Sequence, residues 1–193
     1  MEWVNTSPLV KTYTLEEFWE IPEPPDRSKL ELIAGVLYMT PPPGPLHNNA
    51  ASRLMRLLQE YLFKTGNKGT IYYPRTGIVK GPNSWLEPDL FYVAPETDAY
   101  LDPWYSKYMN TADLVIEIIS PGSAIYDRNT KADTYAALGI KELWLVDEAS
   151  GIIEVRVLKR DRYAPSIVLE NDDHMNSVVL PGFNCKVSSI LGD

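Results

Sequence analysis

The stretches EPDLFYVAP (residues 87–95) and DLVIEIISP (residues 113–121) each predict a short β-strand that ends in a turn. Both carry a carboxylate in an otherwise apolar run: Asp89 opens the first strand, and Glu117 lies between two isoleucines in the second. Burying an unpaired carboxylate costs several kcal/mol. The fold is therefore expected to bring a cationic side chain or a metal ion to these two acids.

Helices and strands alternate on both sides of these stretches. The predicted elements, in chain order, are a helix within 13–26, a hairpin over 29–40, a helix over 47–66, strands over 70–80, 89–93 and 113–119, a helix over 125–138, strands over 141–147 and 151–160, and one or two short strands near the C-terminus. The helix between strands 113–119 and 141–147 predicts a right-handed parallel crossover. We expect one α/β domain over 1–193, with an α+β mixed sheet and its core at about 47–147.

Local signals mark the ends of several elements. Thr14 is a candidate N-cap with Glu17 as its capping-box partner, and the prolines of 22–25 are expected to stop that helix. Ala34-Gly35 predicts the hairpin turn, and Pro74 predicts an edge or a bulge in strand 70–80.

Composition limits the classes of function. The chain has 193 residues with a net charge of −8, which argues against a broad basic face that coats nucleic acid. No apolar stretch approaches the roughly 20 residues that a membrane span needs, and the N-terminus lacks the pattern of a signal peptide. The single cysteine, Cys185, fits a reducing compartment. We expect a cytoplasmic protein without a membrane partner.

The two acids are expected to face the same space. Side chains alternate along a strand, so Asp89 shares a face with Phe91 and Val93, and Glu117 has an equivalent position on its own strand. Two convergent carboxylates suit a hard divalent cation such as Mg²⁺. Asp127 and Lys131 are four residues apart in the helix that follows the Glu117 strand, so Lys131 is expected near both acids. Plain alternatives remain: Asp89 as a turn acid, Glu117 in a structural salt bridge, and Asp127–Lys131 as an exposed pair.

At this point the sequence resembles a known family. The motifs E-P-D, VIEIISPGS, DRNTK and YAALGIKELWLVD, together with LELIAGVLYMTPPPGPLH, are similar to those of the Uma-two family of restriction-endonuclease-like proteins, within the PD-(D/E)XK nuclease superfamily. The resemblance covers about residues 13–160. It implies an αβββαβ nuclease core, Mg²⁺ dependence with Mn²⁺ as a substitute, and phosphodiester hydrolysis.

The resemblance also assigns roles to individual residues. Asp89 matches the aspartate of the PD element, Glu117 matches the second acid, and both are the implied metal ligands. The superfamily lysine normally lies two residues after that acid, where this chain has Ile119. Lys131 is the implied replacement, as the group that orients or deprotonates the attacking water or offsets charge in the transition state. Glu31 matches a further family acid in the hairpin.

The function that follows is a Mg²⁺-dependent endonuclease acting on nucleic acid, with DNA favoured. Two alternatives stay open: a non-catalytic structural or interaction module that keeps the nuclease fold, and a metal-dependent hydrolase of a small phosphoester. The acidic composition suits the second alternative better than long DNA.

Other side chains have open roles. His47 could touch substrate or be a polar helix-start residue, and Asp127 is a second candidate for substrate contact. The aromatic stretch 100–109 could stack bases, cover the sheet or form a homodimer contact. Residues 170–175 (ENDDHM) suggest an exposed loop rather than a metal site. Six basic residues could frame a phosphate track: Arg53, Arg56, Lys64, Lys68, Arg75 and Lys80.

Overall fold

The computed structural model describes residues 11–97, 108–120 and 123–192. The helices in these ranges are α1 (Leu15–Trp19), α2 (Pro45–Thr65), α3 (Ala124–Tyr126 and Ala132–Ala137, joined by the π-helical turn Asp127–Lys131) and α4 (Ser188–Leu191), with a 3-10 turn at Gly81–Asn83. The strands are β1 (Lys29–Ile33), β2 (Val36–Thr40), β3 (Thr70–Tyr72), β4 (Gly77–Val79), β5 (Trp85–Leu86), β6 (Leu90–Val93), β7 (Tyr108–Met109), β8 (Leu114–Ile118), β9 (Glu142–Asp147), β10 (Ile152–Lys159), β11 (Arg162–Tyr163), β12 (Ile167–Glu170), β13 (His174–Asn176) and β14 (Asn184–Lys186).

The strands of the described residues form two main sheets. One sheet has the order β11-β10-β9-β8-β6-β3, with β12 also pairing with β10, and the other has the order β2-β1-β5-β4-β7. Strand β8 pairs parallel with β9 and antiparallel with β6, so the helix α3 makes a parallel crossover. The succession α2-β3-β6-β8-α3-β9 confirms the expected αβββαβ core within a mixed sheet.

The seven-stranded sheet carries an apolar layer on each face. Leu90, Tyr92 and the even-numbered residues of β8 face α2, which contributes Leu54 and Leu58. Phe91, Val115 and their neighbours face α3 on the other side, where Tyr135 packs. Asp89 and Glu117 follow the second pattern by alternation, which directs both acids towards the α3 side.

The N-cap of helix α1 was predicted correctly, but the helix is shorter than expected. Thr14 and Glu17 form both bonds of the capping box, yet α1 ends at Trp19, before the prolines that were expected to stop it. The hairpin β1-β2 turns at Ala34 and Gly35, with φ values of 50° and 81°. Two adjacent residues with positive φ suit the tight hairpin turn that matches strand twist.

The predicted strand 70–80 is wrong as one element. Strand β3 pairs with β6 in the seven-stranded sheet, whereas β4 pairs with β5 in the other sheet. Pro74 lies between them, and its missing N–H and fixed φ prevent a continuous ladder there.

The C-terminal region contains more structure than the one or two strands that were expected. Strands β11 to β14 and helix α4 follow β10 in the described chain. Buried Glu142 accepts hydrogen bonds from the Ser177 hydroxyl and from the backbone N–H groups of Val178 and Val179. Arg53 donates to the carbonyl of Leu191, which fixes α4 on α2. No helix in the described ranges is long and apolar enough to span a bilayer.

Candidate active site

A cleft of about 680 Å³ opens between the hairpin β1-β2, the start of α2 and the ends of β6 and β8. Its polar floor contains the following residues: Lys29, His47, Glu87, Asp89, Glu117, Asp127 and Lys131. Aromatic side chains and prolines, among them Trp19, Tyr73 and Pro43, form its apolar walls. The two acids that the sequence singled out therefore lie in one concave site, as the strand faces predicted.

Glu117 is held through one of its two carboxylate oxygens. Its side chain is 2% exposed, and Oε1 accepts from Lys131 Nζ at 2.7 Å and from the hydroxyl of Tyr135. Oε2 accepts no hydrogen bond from the part of the chain that the structure describes. One oxygen of Glu117 is thus committed to the protein and the other remains available to a ligand.

Lys131 joins three carboxylates from three elements. Its ammonium lies 2.7 Å from Glu117, 3.0 Å from Glu31 Oε2 on β1, and 3.7 Å from Asp127 in its own π-helical turn. Glu31 is fixed in turn, because Oε1 accepts from the backbone N–H of Glu87 at 2.8 Å. The side chains of Lys131 and Asp127 are 2% and 5% exposed, so the alternative of an exposed Asp127–Lys131 pair does not hold.

Asp89 is oriented from two sides. Its Oδ2 accepts from the backbone N–H of Ile118 at 2.8 Å and lies 3.1 Å from His47 Nε2. Its Oδ1 has Lys29 Nζ at 3.9 Å, beyond hydrogen-bond distance. Asp89 is therefore a positioned acid rather than only a turn residue, and it keeps one oxygen directed away from these bonds.

The electrostatics of the two acids differ. Burial raises the pKa of the Glu117 carboxyl to about 7, although Lys131 and Lys29 act to lower it. Burial would also raise the pKa of Asp89, but Lys29 and His47 outweigh it and hold that pKa well below its ordinary range. Asp89 is thus ionised at neutral pH, whereas Glu117 titrates near neutral pH.

The surroundings favour the protonated forms of two basic groups. Burial disfavours the charged form of Lys131, but the surrounding carboxylates, Glu117 first, raise its pKa well above the ordinary value. Burial likewise opposes the protonation of His47, but the hydrogen bond to Asp89 and the charge of that carboxylate together outweigh burial and raise the pKa of His47. A lysine with a raised pKa cannot deprotonate water, so the geometry favours charge stabilisation over the base role for Lys131.

Sequence reasoning singled out six site residues: Glu31, His47, Asp89, Glu117, Asp127 and Lys131. Five of them line this cleft, and Glu31 lies behind it in contact with Lys131. Ile119, at the place where the superfamily has its lysine, packs in the apolar layer beneath α3. The roles given to these six side chains remain predictions.

Sequence reasoning missed two residues of the site: Lys29, which lines the cleft, and Tyr135, which is buried behind it against Glu117. Lys29 precedes Glu31 by two residues, so strand alternation places both on one face. Tyr135 follows Lys131 by four residues, which places both on one side of α3. The periodicity that located Asp89 and Glu117 could therefore have located both of them.

Most of the basic residues considered for a phosphate track are already engaged. Arg53 caps α4, Arg56 and Lys64 pair with Glu60, Arg75 pairs with Glu23, and Lys80 donates to the carbonyl of Ala137. Arg53, Arg56 and Lys64 share α2, whereas Arg75 and Lys80 lie beyond it, and each of the five already has an oxygen partner within the chain.

Two other sequence features are placed as follows. Asp172 and Asp173 lie in an exposed turn, and Asp172 pairs with Lys186. The loop predicted over 170–175 is correct only for this middle part, because Glu170 ends β12 and His174 and the buried Met175 belong to β13. Most of the aromatic stretch 100–109 lies outside the described residues, and only the backbone of its last two residues is placed, in β7.

The donor set at the cleft fits an open magnesium site. The described residues contain no cluster of three or more histidine, cysteine, aspartate or glutamate side chains arranged around one ion. Mg²⁺ is commonly bound by one or two carboxylates, with water and substrate phosphate completing its shell. Of the two acids that the sequence singled out as metal ligands, Asp89 Oδ1 and Glu117 Oε2 accept no hydrogen bond from the described residues, and together they suit that mode of binding.

Comparison with solved structures supports the same class of fold. A crystal structure of "a putative nuclease belonging to DUF820 from Anabaena variabilis ATCC 29413" matches with a TM-score of 0.72 and 18% sequence identity, covering 93% of this chain and 97% of that one. At this identity the likeness defines the fold, which is that of a restriction-endonuclease-like protein.

The family follows from the sequence comparison. The model of the Uma2 family, described as "Putative restriction endonuclease", matches residues 15–188. The chain belongs to this family. No curated protein matches the chain.

Proposed function

We propose that the protein is a Mg²⁺-dependent nuclease that hydrolyses phosphodiester bonds in nucleic acid, with DNA as the favoured substrate. The observation that carries the proposal is that each of its two acids is hydrogen-bonded within the protein through only one of its two carboxylate oxygens. Asp89 and Glu117 are each fixed through one oxygen by protein donors, and each keeps its other oxygen for a ligand in the same cleft. A purely structural ion pair gives no reason for that arrangement.

Asp89 Oδ1 and Glu117 Oε2 would hold the metal. A Mg²⁺ ion held by these two oxygens would supply Lewis-acid chemistry, namely polarisation of the phosphate and a lower pKa for bound water. The protein's share is to fix the two carboxylates before substrate arrives: the Ile118 N–H and His47 orient Asp89, and Lys131 with Tyr135 orients Glu117. Preorganised ligands of this kind need no rearrangement when the reaction takes place.

Lys131 supplies a fixed positive charge beneath the reacting centre. Its contact with Glu117 places the ammonium next to the carboxylate that would hold the metal, at 2.7 Å from Oε1. Transition states of phosphodiester hydrolysis gain negative charge, which a nearby preorganised cation stabilises. Because its pKa is raised, Lys131 is assigned this electrostatic role and not that of a general base.

The test is cleavage by purified protein with matched isosteric variants. Wild type, Asp89→Asn and Glu117→Gln are incubated with plasmid, single-stranded DNA and RNA in Mg²⁺, in Mn²⁺ and in chelator, with the exposed Asp133→Asn as control. Cleavage should require the metal and fall by about 100-fold or more in both site variants, while the control keeps full activity. Absence of cleavage in both metals, or a Glu117→Gln variant as active as wild type, would contradict the proposal.

A second candidate is a metal-dependent hydrolase of a small phosphoester. The walls of the cleft are largely aromatic and proline, and most of the basic residues along α2 and beyond are engaged within the chain. Such a cleft suits a single base or another compact apolar group better than a long duplex. Nucleotides and bis-aryl phosphodiesters in the same assay would separate the two candidates, because the nuclease should prefer the polymers.

A further inference from the structure

Lys29 is a second lysine of the cleft that no motif of the sequence assigned. It is the first residue of β1, two residues before Glu31. Its ammonium donates to the backbone carbonyl of Glu87 at 2.8 Å. It lies 3.9 Å from Asp89 Oδ1 and 4.0 Å from Glu31 Oε2, so both acids attract it without forming a hydrogen bond.

The two lysines differ in their freedom to meet a substrate. Lys131 is 2% exposed in its side chain and is surrounded by three carboxylates, whereas Lys29 is 22% exposed and makes one hydrogen bond within the described residues. An ammonium has three N–H donors. Lys29 therefore has donors on a partly exposed ammonium that can reach a ligand in the cleft, whereas the ammonium of Lys131 is buried among carboxylates.

The excess of carboxylates around the cleft makes a cationic donor necessary for binding a phosphate. Four carboxylates, Glu31, Asp89, Glu117 and Asp127, surround the two ammonium groups at and behind the floor, and His47 beside Asp89 is the third basic group there. A phosphodiester brings a further negative charge into this field. A cation that is partly exposed and adjacent to Asp89 Oδ1 is the protein group best placed to offset that charge at the reacting phosphate.

We propose that Lys29 is a catalytic residue that binds a non-bridging oxygen of the substrate phosphate. Lys131 makes no contact with substrate in this arrangement: it positions Glu117 and Glu31 and acts on the transition state only through its charge. This inference rests on the proposed function and adds its phosphate-binding group. The lysine of this site that meets substrate thus comes from the hairpin and not from helix α3.

Removal of the Lys29 charge should change the affinities for Mg²⁺ and for phosphate in opposite directions. Lys29 stands beside the oxygen that would hold Mg²⁺, and like charges repel. Removing its charge should therefore tighten the binding of Mg²⁺ in the absence of substrate, by about 2- to 5-fold. The same change should weaken phosphate binding by about 10- to 100-fold, the scale of a lost hydrogen bond to a charged group.

The experiment uses Lys29→Met and Lys29→Arg, with Lys64→Met as the matched control because its side chain is 74% exposed on α2. Isothermal titration with Mg²⁺ alone gives metal affinity, and titration with thymidine monophosphate at saturating Mg²⁺ gives phosphate affinity. Circular dichroism establishes that each variant is folded. We expect Lys29→Met to gain metal affinity and lose nucleotide affinity, Lys29→Arg to keep most of the nucleotide affinity, and the control to match wild type.

The outcomes separate the inference from the proposed function. Nucleotide affinity unchanged in Lys29→Met overturns the inference, even if the wild type is an active nuclease. Loss of nucleotide affinity in that variant supports the phosphate site, even if the wild type cleaves no polymer and the nuclease proposal fails. If Lys29→Met does not fold, Lys29→Arg decides: weaker Mg²⁺ and nucleotide binding together would overturn the assignment, because the charge is retained.

Discussion

Lys131 holds together side chains that would otherwise repel one another. Glu117 and Glu31 lie 2.7 Å and 3.0 Å from its ammonium, and both are almost fully buried. A buried ion pair adds little net stability over an apolar pair, but the loss of one partner leaves an uncompensated charge. The lysine therefore matters to folding as well as to chemistry, and an assay of activity alone cannot separate the two.

We predict that Lys131→Met lowers the free energy of unfolding by about 3–5 kcal/mol, because it leaves buried carboxylates without a counter-ion. Urea denaturation followed by circular dichroism measures the change. The double variant Glu117→Gln/Lys131→Met should recover part of the loss, since one of the orphaned charges is then absent. A Lys131→Met protein as stable as wild type would show that the ion pairs of Lys131 with Glu117 and Glu31 do not contribute to the free energy of unfolding.

Glu117 predicts a pH dependence of metal binding. Its pKa is raised by burial from 4.5 to about 7, so folding favours its protonated form and its contribution to stability falls as pH rises from about 4.5 to 7. Mg²⁺ binds the ionised carboxylate and must displace the proton below pH 7. The rise in melting temperature caused by Mg²⁺ should therefore be larger at pH 8 than at pH 6.

Thermal unfolding with and without Mg²⁺ at several pH values tests this expectation. Glu117→Gln cannot ionise, so it should show a small Mg²⁺ effect that does not change between pH 6 and 8. A wild-type Mg²⁺ effect that is equal at both pH values would mean that Glu117 is not a ligand or does not titrate in this range.

Strand alternation was sufficient to place Asp89 and Glu117 together, because both strands belong to one sheet and the acids follow the α3 face. The burial of Lys131 was not predictable in the same way. Spacing of four residues gives a shared helix side but not whether β1 covers it, and Glu31 of β1 is what encloses the ammonium. Contacts between elements distant in sequence decide burial, and periodicity carries no information about them.

At the scale of elements, the hairpin β1-β2 supplies Lys29 and Glu31 to the cleft. Its turn residues Ala34 and Gly35 both have positive φ, at 50° and 81°. A Cβ added to Gly35 would lie 3.2 Å from Thr12 Cβ and 3.3 Å from the Tyr13 carbonyl oxygen. The turn is thus constrained both by its backbone conformation and by the segment that precedes α1.

We expect opposite effects from two substitutions in this turn. Gly35→Ala should destabilise the protein by about 1–2 kcal/mol, because an L-residue is disfavoured at that φ and the new methyl group is crowded. Ala34→Asn should stabilise it by up to about 1 kcal/mol, because asparagine tolerates the left-handed region and Asn-Gly suits the turn. Chemical denaturation of both variants measures the difference, and a neutral Gly35→Ala would refute the constraint.

The sequence predicted the elements that are marked by strong local signals and missed those that depend on partners. Helix α2 ends at Gly66 in the left-handed conformation, as its sequence indicated. The strand predicted over 70–80 divides between two sheets, since neighbouring strands rather than local propensity select the pairing. The short strands after β10 contain few residues each, so alternation had too little length to show them.

At the scale of the whole molecule, we propose a homodimer that uses the sheet edge at β12. This strand pairs with β10 and exposes Ile167 and Val168, 57% and 55% respectively. An edge strand with exposed apolar side chains favours pairing with a second chain. Dimerisation would also suit an enzyme that cuts both strands of a duplex.

Light scattering at micromolar concentration should give twice the chain mass of 21.8 kDa. The variant Ile167→Lys/Val168→Lys should shift the particle to the monomer mass, because charged edge residues oppose strand pairing. A wild-type mass near 21.8 kDa would exclude the dimer, and a dimeric double variant would exclude this edge as its interface.

Strand β8 has a consequence for hydrogen exchange. All five of its residues are buried, and it lies between β6 and β9 with ladder bonds on both sides. Amide protons in such a position exchange with deuterium only when the whole domain opens. The backbone that carries Glu117 should therefore be among the last parts of the chain to take up deuterium, and its exchange rate would report global stability without any chemical probe at the cleft.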